Sequence, residues 1–251
     1  MESLMFGGNF FKQLTLFTGI NRFASGVYDY LYFQTRAEEI VHFHDLSSYT
    51  VYCLKKSPPS SLEVVDRNLA MEEGDALQVE GDFISLSVRG GPAELLVAGV
   101  TQNRMPGESK VIVIPAVDIY RVKKPWGHEL WLSDQHPDYA LKQIFIKAGA
   151  KTSLQYHRFK KETNVLFSGT ALLHYNKNSM VSCAEVRKQD VAQQFLESTS
   201  MIDVPPLTLH RLEAITDILL YEASTPFLDD VIRVYDDTGR SDGRISQEHS
   251  Q

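Results

Sequence analysis

Gln155, His157 and Glu162 lie within eight residues of one another in SLQYHRFKKETNVLFSG (153–169). An amide oxygen, an imidazole and a carboxylate are groups that hold a divalent metal ion. A strand sends alternate side chains to opposite faces, so Gln155 and His157 point one way and Tyr156 the other. The Arg158–Lys161 segment, basic and polar, reads as a solvated loop at the mouth of a cavity, placed to guide an anion. The apolar NVLF (164–167) then reads as the partner strand of a hairpin, which returns Glu162 to the side of His157. A metal site needs a fourth group. His210 supplies it, from IDVPPLTLHRLEAITDILLYEAS (202–224), a Pro-marked turn followed by a strand.

These four must be brought together by the surrounding elements. Short runs rich in Val, Ile, Tyr and Phe recur between turn residues: GVYDYLYFQ, SYTVYCL, FISLSVRGG, ELLVAGV, KVIVIPAVDIY, YALKQIFIKAG, NVLFSGTALLHY and DILLYEAST. Such spacing predicts an all-β sandwich or barrel rather than a βαβ series. One stretch, AEVRKQDVAQQFL (184–196), has helix-forming composition and reads as a short helical insertion. The 251 residues predict two domains with a boundary near 100–120, where TQNRMPGESK is polar and carries Pro and Gly. The polar DTGRSDGRISQEHSQ at the end reads as a mobile tail.

Composition narrows the function. With 43% hydrophobic residues, the chain can fill two cores. A net charge of −7 gives no general attraction to nucleic acid or an anionic membrane. An anionic substrate would therefore need a local cluster of cations. Two cysteines, Cys53 and Cys183, sit far apart and exclude a thiolate zinc site. With neither a signal peptide nor an apolar run near membrane-spanning length, the expected compartment is the cytoplasm.

Gly149–x5–Gln155–x–His157–x4–Glu162–x6–Gly169, followed by Pro205 and His210, resembles the cupin pattern with glutamine in the first ligand position. Cupins are double-sheet jelly rolls whose paired sheets enclose a cavity. Gly149 and Gly169 flank the motif where turns require positive φ. Residues 122–240 are similar to the phosphomannose isomerase domain at the C-terminus of two-domain mannose-1-phosphate guanylyltransferases. The resemblance runs through KKPWGHELWL, YALKQIFIKAGAKTSLQYH, ETNVLFSGTALL, VPPLTLHRLE and LDDVIRVYDDTGR. The match departs from the family at Arg158–Phe159, at Thr163–Asn164 and in the PPLTL turn. No nucleotidyltransferase fingerprint precedes it.

That resemblance implies one divalent metal ion on Gln155, His157, Glu162 and His210. Zinc is the first choice, and iron, manganese, cobalt or nickel are compatible. It also implies Lys142 as a cavity cation and general base, Glu213 as the second candidate base, and Arg233 and Arg240 as phosphate clamps. Lys142 shares strand parity with Ala140, Ile144 and Ile146. The alternative for each arginine is an ion pair with Asp229, Asp230, Asp236 or Asp237. The implied reaction is aldose–ketose isomerisation of a sugar phosphate through an enediolate. The competing readings are a cupin enzyme of nucleotide-linked or acidic sugars and a sugar-binding or assembly cupin without catalysis.

The first half reads as a second, degenerate cupin. In IVHFHDLSSYTVYCL, His42–x–His44–x4–Tyr49 places tyrosine where the carboxylate should stand. Its work would be to pack against the metal-binding half or to form the interface of a homodimer. The full expectation is a bicupin: a degenerate barrel over 1–115, a metal-binding barrel over 116–240 and a disordered tail over 241–251. Trp126 is expected to cover the barrel end, His174 to be structural, and Arg211 to face away from His210.

Overall fold

The computed structural model describes residues 11–43, 45–81, 83–101, 110–133, 136–176, 191–240 and 243–244. Its strands are β1 (Phe11–Gln13), β2 (Gly19–Ala24), β3 (Asp29–Gln34), β4 (Glu39–His42), β5 (Ser48–Lys56) and β6 (Ser61–Val64). Then come β7 (Leu69–Met71), β8 (Ala76–Glu80), β9 (Ser85–Arg89), β10 (Ala93–Val100), β11 (Lys110–Ile114), β12 (Tyr120–Lys124) and β13 (Gly127–Trp131). The rest are β14 (Ala140–Ile146), β15 (Leu154–Tyr156), β16 (Glu162–Ser168), β17 (Thr170–Tyr175), β18 (Ala192–Glu197) and β19 (Ser200–Val204). The last are β20 (His210–Ala214), β21 (Ile218–Ser224), β22 (Ile232–Tyr235) and β23 (Gly243–Arg244). One 3₁₀ turn, Ala116–Asp118, is the only helical element among the described residues. None of these elements is a helix long and apolar enough to cross a membrane.

The chain forms two compact units. One comprises the described residues of Leu16–Arg121 and Leu130–Lys142, the other those of Met1–Thr15, Val122–Glu129 and Gln143–Gln251. The division therefore differs from a single cut near residue 115. β1 leaves the N-terminal barrel and pairs with β19, with Phe11 opposite Ile202. Conversely, 130–142 joins the first unit, where Tyr139 bonds Thr50 at 2.9 Å and His136 bonds Ser48 at 2.7 Å.

The first unit stacks the sheet β11-β8-β5-β10-β3-β2 on the sheet β4-β9-β6-β7. Its interior is apolar: Phe33, Phe43, Val51, Leu62, Leu77, Leu86 and Leu95 are all buried in one cluster. Alternation explains why His42 is not among them, because Val41 and Phe43 take the inward positions on either side of it.

The second unit contains the sheet β1-β19-β16-β21-β14-β13-β12 and the sheet β18-β17-β20-β15-β22-β23. Ile144, Ile146, Leu166, Ile202, Val204, Ile218 and Leu220 from the former meet Ala171, Leu173, Tyr175, Leu196 and Ala214 from the latter. Trp126 is buried within this cluster as packing. Gly169, between β16 and β17, has φ +86°, and a Cβ there would stand 2.2 Å from the Asp217 carbonyl oxygen. Only glycine fits that turn.

Three local expectations need correction. β18 is a strand where the composition of 184–196 predicts helix; residues 184–190 lie outside the described residues. Leu196 enters the core from β18 and Phe195 stays exposed, so pairing with β17 overrides helix propensity. β15 and β16 are not partners in a hairpin: β15 pairs with β20 and β22, and β16 with β19 and β21. The loop between them crosses from one sheet to the other. At the end of the chain Gly243 and Arg244 pair with β22; the rest of 241–251 lies outside the described residues.

Candidate metal centre

Gln155 on β15 stands directly opposite His210 on β20 and opposite Arg233 on β22. His210 is in turn opposite Tyr175 on β17. Residues directly opposite in an antiparallel pair project from the same face. Tyr175, His210, Gln155 and Arg233 thus form one row across the sheet, and Tyr175 marks its face as the interior. Glu162 opens β16 in the other sheet, opposite Val204 and Ser224. The loop 157–161 carries the chain from the first sheet to the second, so His157 and Glu162 meet across the end of the barrel.

His157, Glu162 and His210 offer ligand atoms that all lie within 4.8 Å of one another, and they are the only such group among the described residues. The Nδ1 of His157 donates to the carbonyl of Asp230, and that of His210 to the carbonyl of Thr208 at 3.0 Å. Both rings thereby direct Nε2 at Glu162: His157 lies 2.6 Å from Oε1 and His210 3.9 Å from Oε2. With Nδ1 donating to a carbonyl, the Nε2 of His157 meets a carboxylate oxygen, and either a second ring proton or a metal ion must stand between them. His157 Nε2 and the Ser224 hydroxyl are also buried without a hydrogen-bond donor or acceptor of good geometry. Such orphaned groups are uncommon in a metal-free interior, so the residues fit a metal ion.

Electrostatics points the same way. Burial keeps His210 below the ordinary imidazole value, hence neutral and able to ligate. Burial alone would raise Glu162, but the Lys160 ammonium, and after it His157, hold the carboxyl well below its usual range. Gln155 presents an oxygen that accepts from the Ser153 hydroxyl at 2.7 Å, fixing which end of the amide faces inward.

Lys160 departs from the sequence expectation. It is not part of a solvated loop: 4% exposed, its Nζ lies 3.0 Å from Glu162 Oε1 and 2.7 Å from Glu222 Oε1. Asn164 completes the cluster, donating to Glu162 Oε2 at 3.2 Å. Glu222 and Asn164 are register partners on the inward face. Sequence reasoning gave Glu222 and Asn164 no place in the centre and named Asp230 only as an alternative partner for an arginine. For Glu222 and Asn164 the available signal was a polar residue at inward parity on a strand otherwise apolar.

The remaining candidates are dispersed. Arg233 is buried, with Nε 3.8 Å from Asp236. Arg240 also engages Asp236, at 2.7 and 3.1 Å. Burial tends to raise Asp236, but Arg240 and Thr238 outweigh it and hold the carboxyl at about 2. Lys142 is buried on β14, its ammonium 4.6 Å from the centroid of the Trp131 ring. Glu213 shares a sheet face with His174 rather than with His210, and bonds Lys151 at 3.0 Å and His174 at 2.9 Å. That face is the outer one, so the carboxylate does not reach the centre. Arg211 lies on the same outer side, bonded to the Thr152 carbonyl and to Asp237.

In the first barrel His42 is exposed and bonds Ser85 at 2.7 Å. Tyr49 is buried in the apolar core. His44 lies outside the described residues, as do Cys183 and His249. Cys53 is a buried free thiol whose pKa burial pushes up to about 12.

Comparison with known proteins agrees with this architecture. The chain has a cupin-like fold of two barrels, like the solved structures it resembles. Residues 116–234, just under half of it, match the family described as Mannose-6-phosphate isomerase C-terminal. No curated protein sequence matches it. Similar solved structures include Bacillus subtilis oxalate decarboxylase, described with Mn(II) centres: 11% identity, 78% of this chain and 68% of that one, TM-score 0.56. Vicilin from Corylus avellana (hazelnut) aligns at 8% identity over 83% and 78%, TM-score 0.59. AerE from Microcystis aeruginosa aligns at 12% identity over 86% and 96%, TM-score 0.59.

Proposed function

We propose that the C-terminal barrel binds one divalent metal ion through Gln155, His157, Glu162 and His210, and that it isomerises a sugar phosphate between aldose and ketose. The observation that carries this reading is the convergence of three groups: two buried imidazoles, each held at Nδ1 by a backbone carbonyl, aim Nε2 at one carboxylate. Zinc suits this donor set best, and manganese, iron, cobalt and nickel are compatible. A bound divalent ion would act as a Lewis acid, lowering the cost of negative charge on the sugar's C1 and C2 oxygens. Arg233, beside Gln155 in the inward row, is placed to hold the phosphate. Arg240 joins it through their shared Asp236. Lys142 is the proposed base, buried on β14 with the strand parity of Ile144 and Ile146. The match to the mannose-6-phosphate isomerase C-terminal family supports the substrate class.

A second reading has its own observation. Lys160 already supplies Glu162 with a cation, which suits a barrel that binds sugars without metal or catalysis. Metal analysis of the purified protein, followed by incubation with mannose 6-phosphate or fructose 6-phosphate in deuterated water, separates the two. Stoichiometric metal is expected, with deuterium at C2 of mannose 6-phosphate and C1 of fructose 6-phosphate. Sugar binding without metal or exchange would replace the isomerase with the binding module.

A further inference from the structure

Lys160 has more to do than neutralise Glu162. An ammonium carries three N–H donors. Glu162 and Glu222 take two of them, at 3.0 and 2.7 Å, and among the described residues no acceptor takes the third. The side chain is buried, so bulk water is a poor substitute. Carboxylates on two strands of one sheet hold the group in place: Glu162 begins β16, and Glu222 lies on its neighbour β21. Its amide nitrogen is held as well, donating to the Asp230 carboxylate at 3.0 Å.

Charge counting gives this geometry a direction. Lys160 contributes +1 and the two glutamates −1 each, so the bonded trio carries −1. Gln155 and neutral imidazoles add nothing, and a divalent ion would bring the centre to +1. A centre with that charge and one buried donor unspent favours a ligand bearing negative charge on oxygen.

We propose that Lys160 is a catalytic residue of this centre, whose third N–H donates to an anionic substrate oxygen held beside Glu162 and His157. The proposal rests on the isomerase reading for the identity of the substrate, and not for the preference itself. Lys160 acts by position: pinned between Glu162 and Glu222, its ammonium offers the remaining N–H as a donor to charge on the substrate.

The test compares two sugar phosphates that differ only at C1, a carboxylate in 6-phosphogluconate and a neutral hydroxymethyl group in glucitol 6-phosphate, titrated calorimetrically into cobalt-loaded protein. Wild type should prefer 6-phosphogluconate. Lys160→Met, which keeps the bulk and removes the charge, should cut that preference by roughly tenfold or more. Glu222→Gln makes the centre one unit more positive and should increase the preference. Should Lys160→Met not fold or not hold cobalt, the Glu222→Gln arm decides alone. A wild type without preference, a Lys160→Met protein with the wild-type ratio, or a Glu222→Gln protein with a lower one would each overturn the proposal. Failure of the isomerase reading looks different: no deuterium exchange by wild type, with the preference intact.

Discussion

The backbone carbonyl of Asp230 accepts from Nδ1 of His157, while the Asp230 carboxylate accepts the amides of Phe159 and Lys160. One residue on the loop before β22 thus orients a candidate metal ligand and sets the path of the loop that follows it. Those backbone bonds hold the Asp230 carboxyl below its ordinary range despite burial. Asp230→Ala keeps the backbone carbonyl and removes the carboxylate that holds the loop between His157 and Glu162. Outer partners of metal ligands contribute about 10–100-fold to affinity, so a chelator competition should show a loss at the lower end of that range. Asp230→Asn keeps an acceptor oxygen and should lose much less. Equal affinity of the alanine variant and wild type would remove Asp230 from the centre.

Ligand assignment is tested by substitution with metal analysis. His157→Ala and His210→Ala should each lose bound metal and stay folded, because neither ring belongs to the apolar cluster that fills the barrel. His42→Ala should keep full metal content, since that ring is exposed and bonded to Ser85 in a barrel with an apolar interior. Retained metal in His210→Ala together with its loss in His42→Ala would place the centre in the other barrel.

That Gln155, His157, Glu162 and His210 gather at one place was legible because two local signals agree, strand parity and turn residues. What failed was whatever depends on partners distant in sequence. Lys160 stands in a basic run and looks solvated, and only Glu222, 62 residues on, draws it inside. Parity also does not say which strand pairs with which, so β15 and β16 looked like a hairpin when they belong to facing sheets. At PPLTL the sequence lacks the glycine a tight turn prefers, yet Leu207 adopts φ +64° and its amide donates to the His157 carbonyl at 2.6 Å. The backbone there takes the left-handed conformation at a cost of about 1–2 kcal/mol, and the bond ties the His210 turn to the His157 loop.

Acid should destabilise the metal-free protein in two stages. His210 is held below its ordinary 6.5, so below that pH the unfolded chain takes up a proton that the folded chain refuses, and stability falls. Glu162 and Asp236 are depressed carboxyls with ordinary values of 4.5 and 3.8. Their contribution is full above those values and is lost as pH drops towards the folded ones, about 2 for Asp236. Thermal unfolding followed against pH should show both declines. His210→Gln should flatten the upper one, and an unchanged upper decline would assign it to another group.

Gly169→Ala tests the turn that joins the two sheets. The added methyl meets the Asp217 carbonyl at 2.2 Å in a backbone of positive φ. Strain of that kind costs roughly 1–3 kcal/mol, which denaturant unfolding would register as a lower midpoint. Gly149→Ala has positive φ but open space around the new Cβ, so its loss should be the smaller of the two.

The base is the last assignment to be tested, and the two candidates stand in different surroundings. Glu213 spends its carboxylate on Lys151 and His174, on the outer face of the sheet that presents His210 inward. Glu213→Gln should therefore leave deuterium exchange at C1 of fructose 6-phosphate unchanged within about twofold, since positioned acids and bases account for 10²–10⁴-fold and this one is out of reach. Lys142 is buried with its ammonium over the Trp131 ring, and its strand parity matches two core isoleucines. Lys142→Ala should slow exchange by about 10²–10⁴-fold while metal stays bound. Exchange that survives in Lys142→Ala and collapses in Glu222→Gln would move the base to the buried carboxylate beside Lys160. Exchange that collapses only in Glu213→Gln would mean that the outer face of the sheet carries the chemistry.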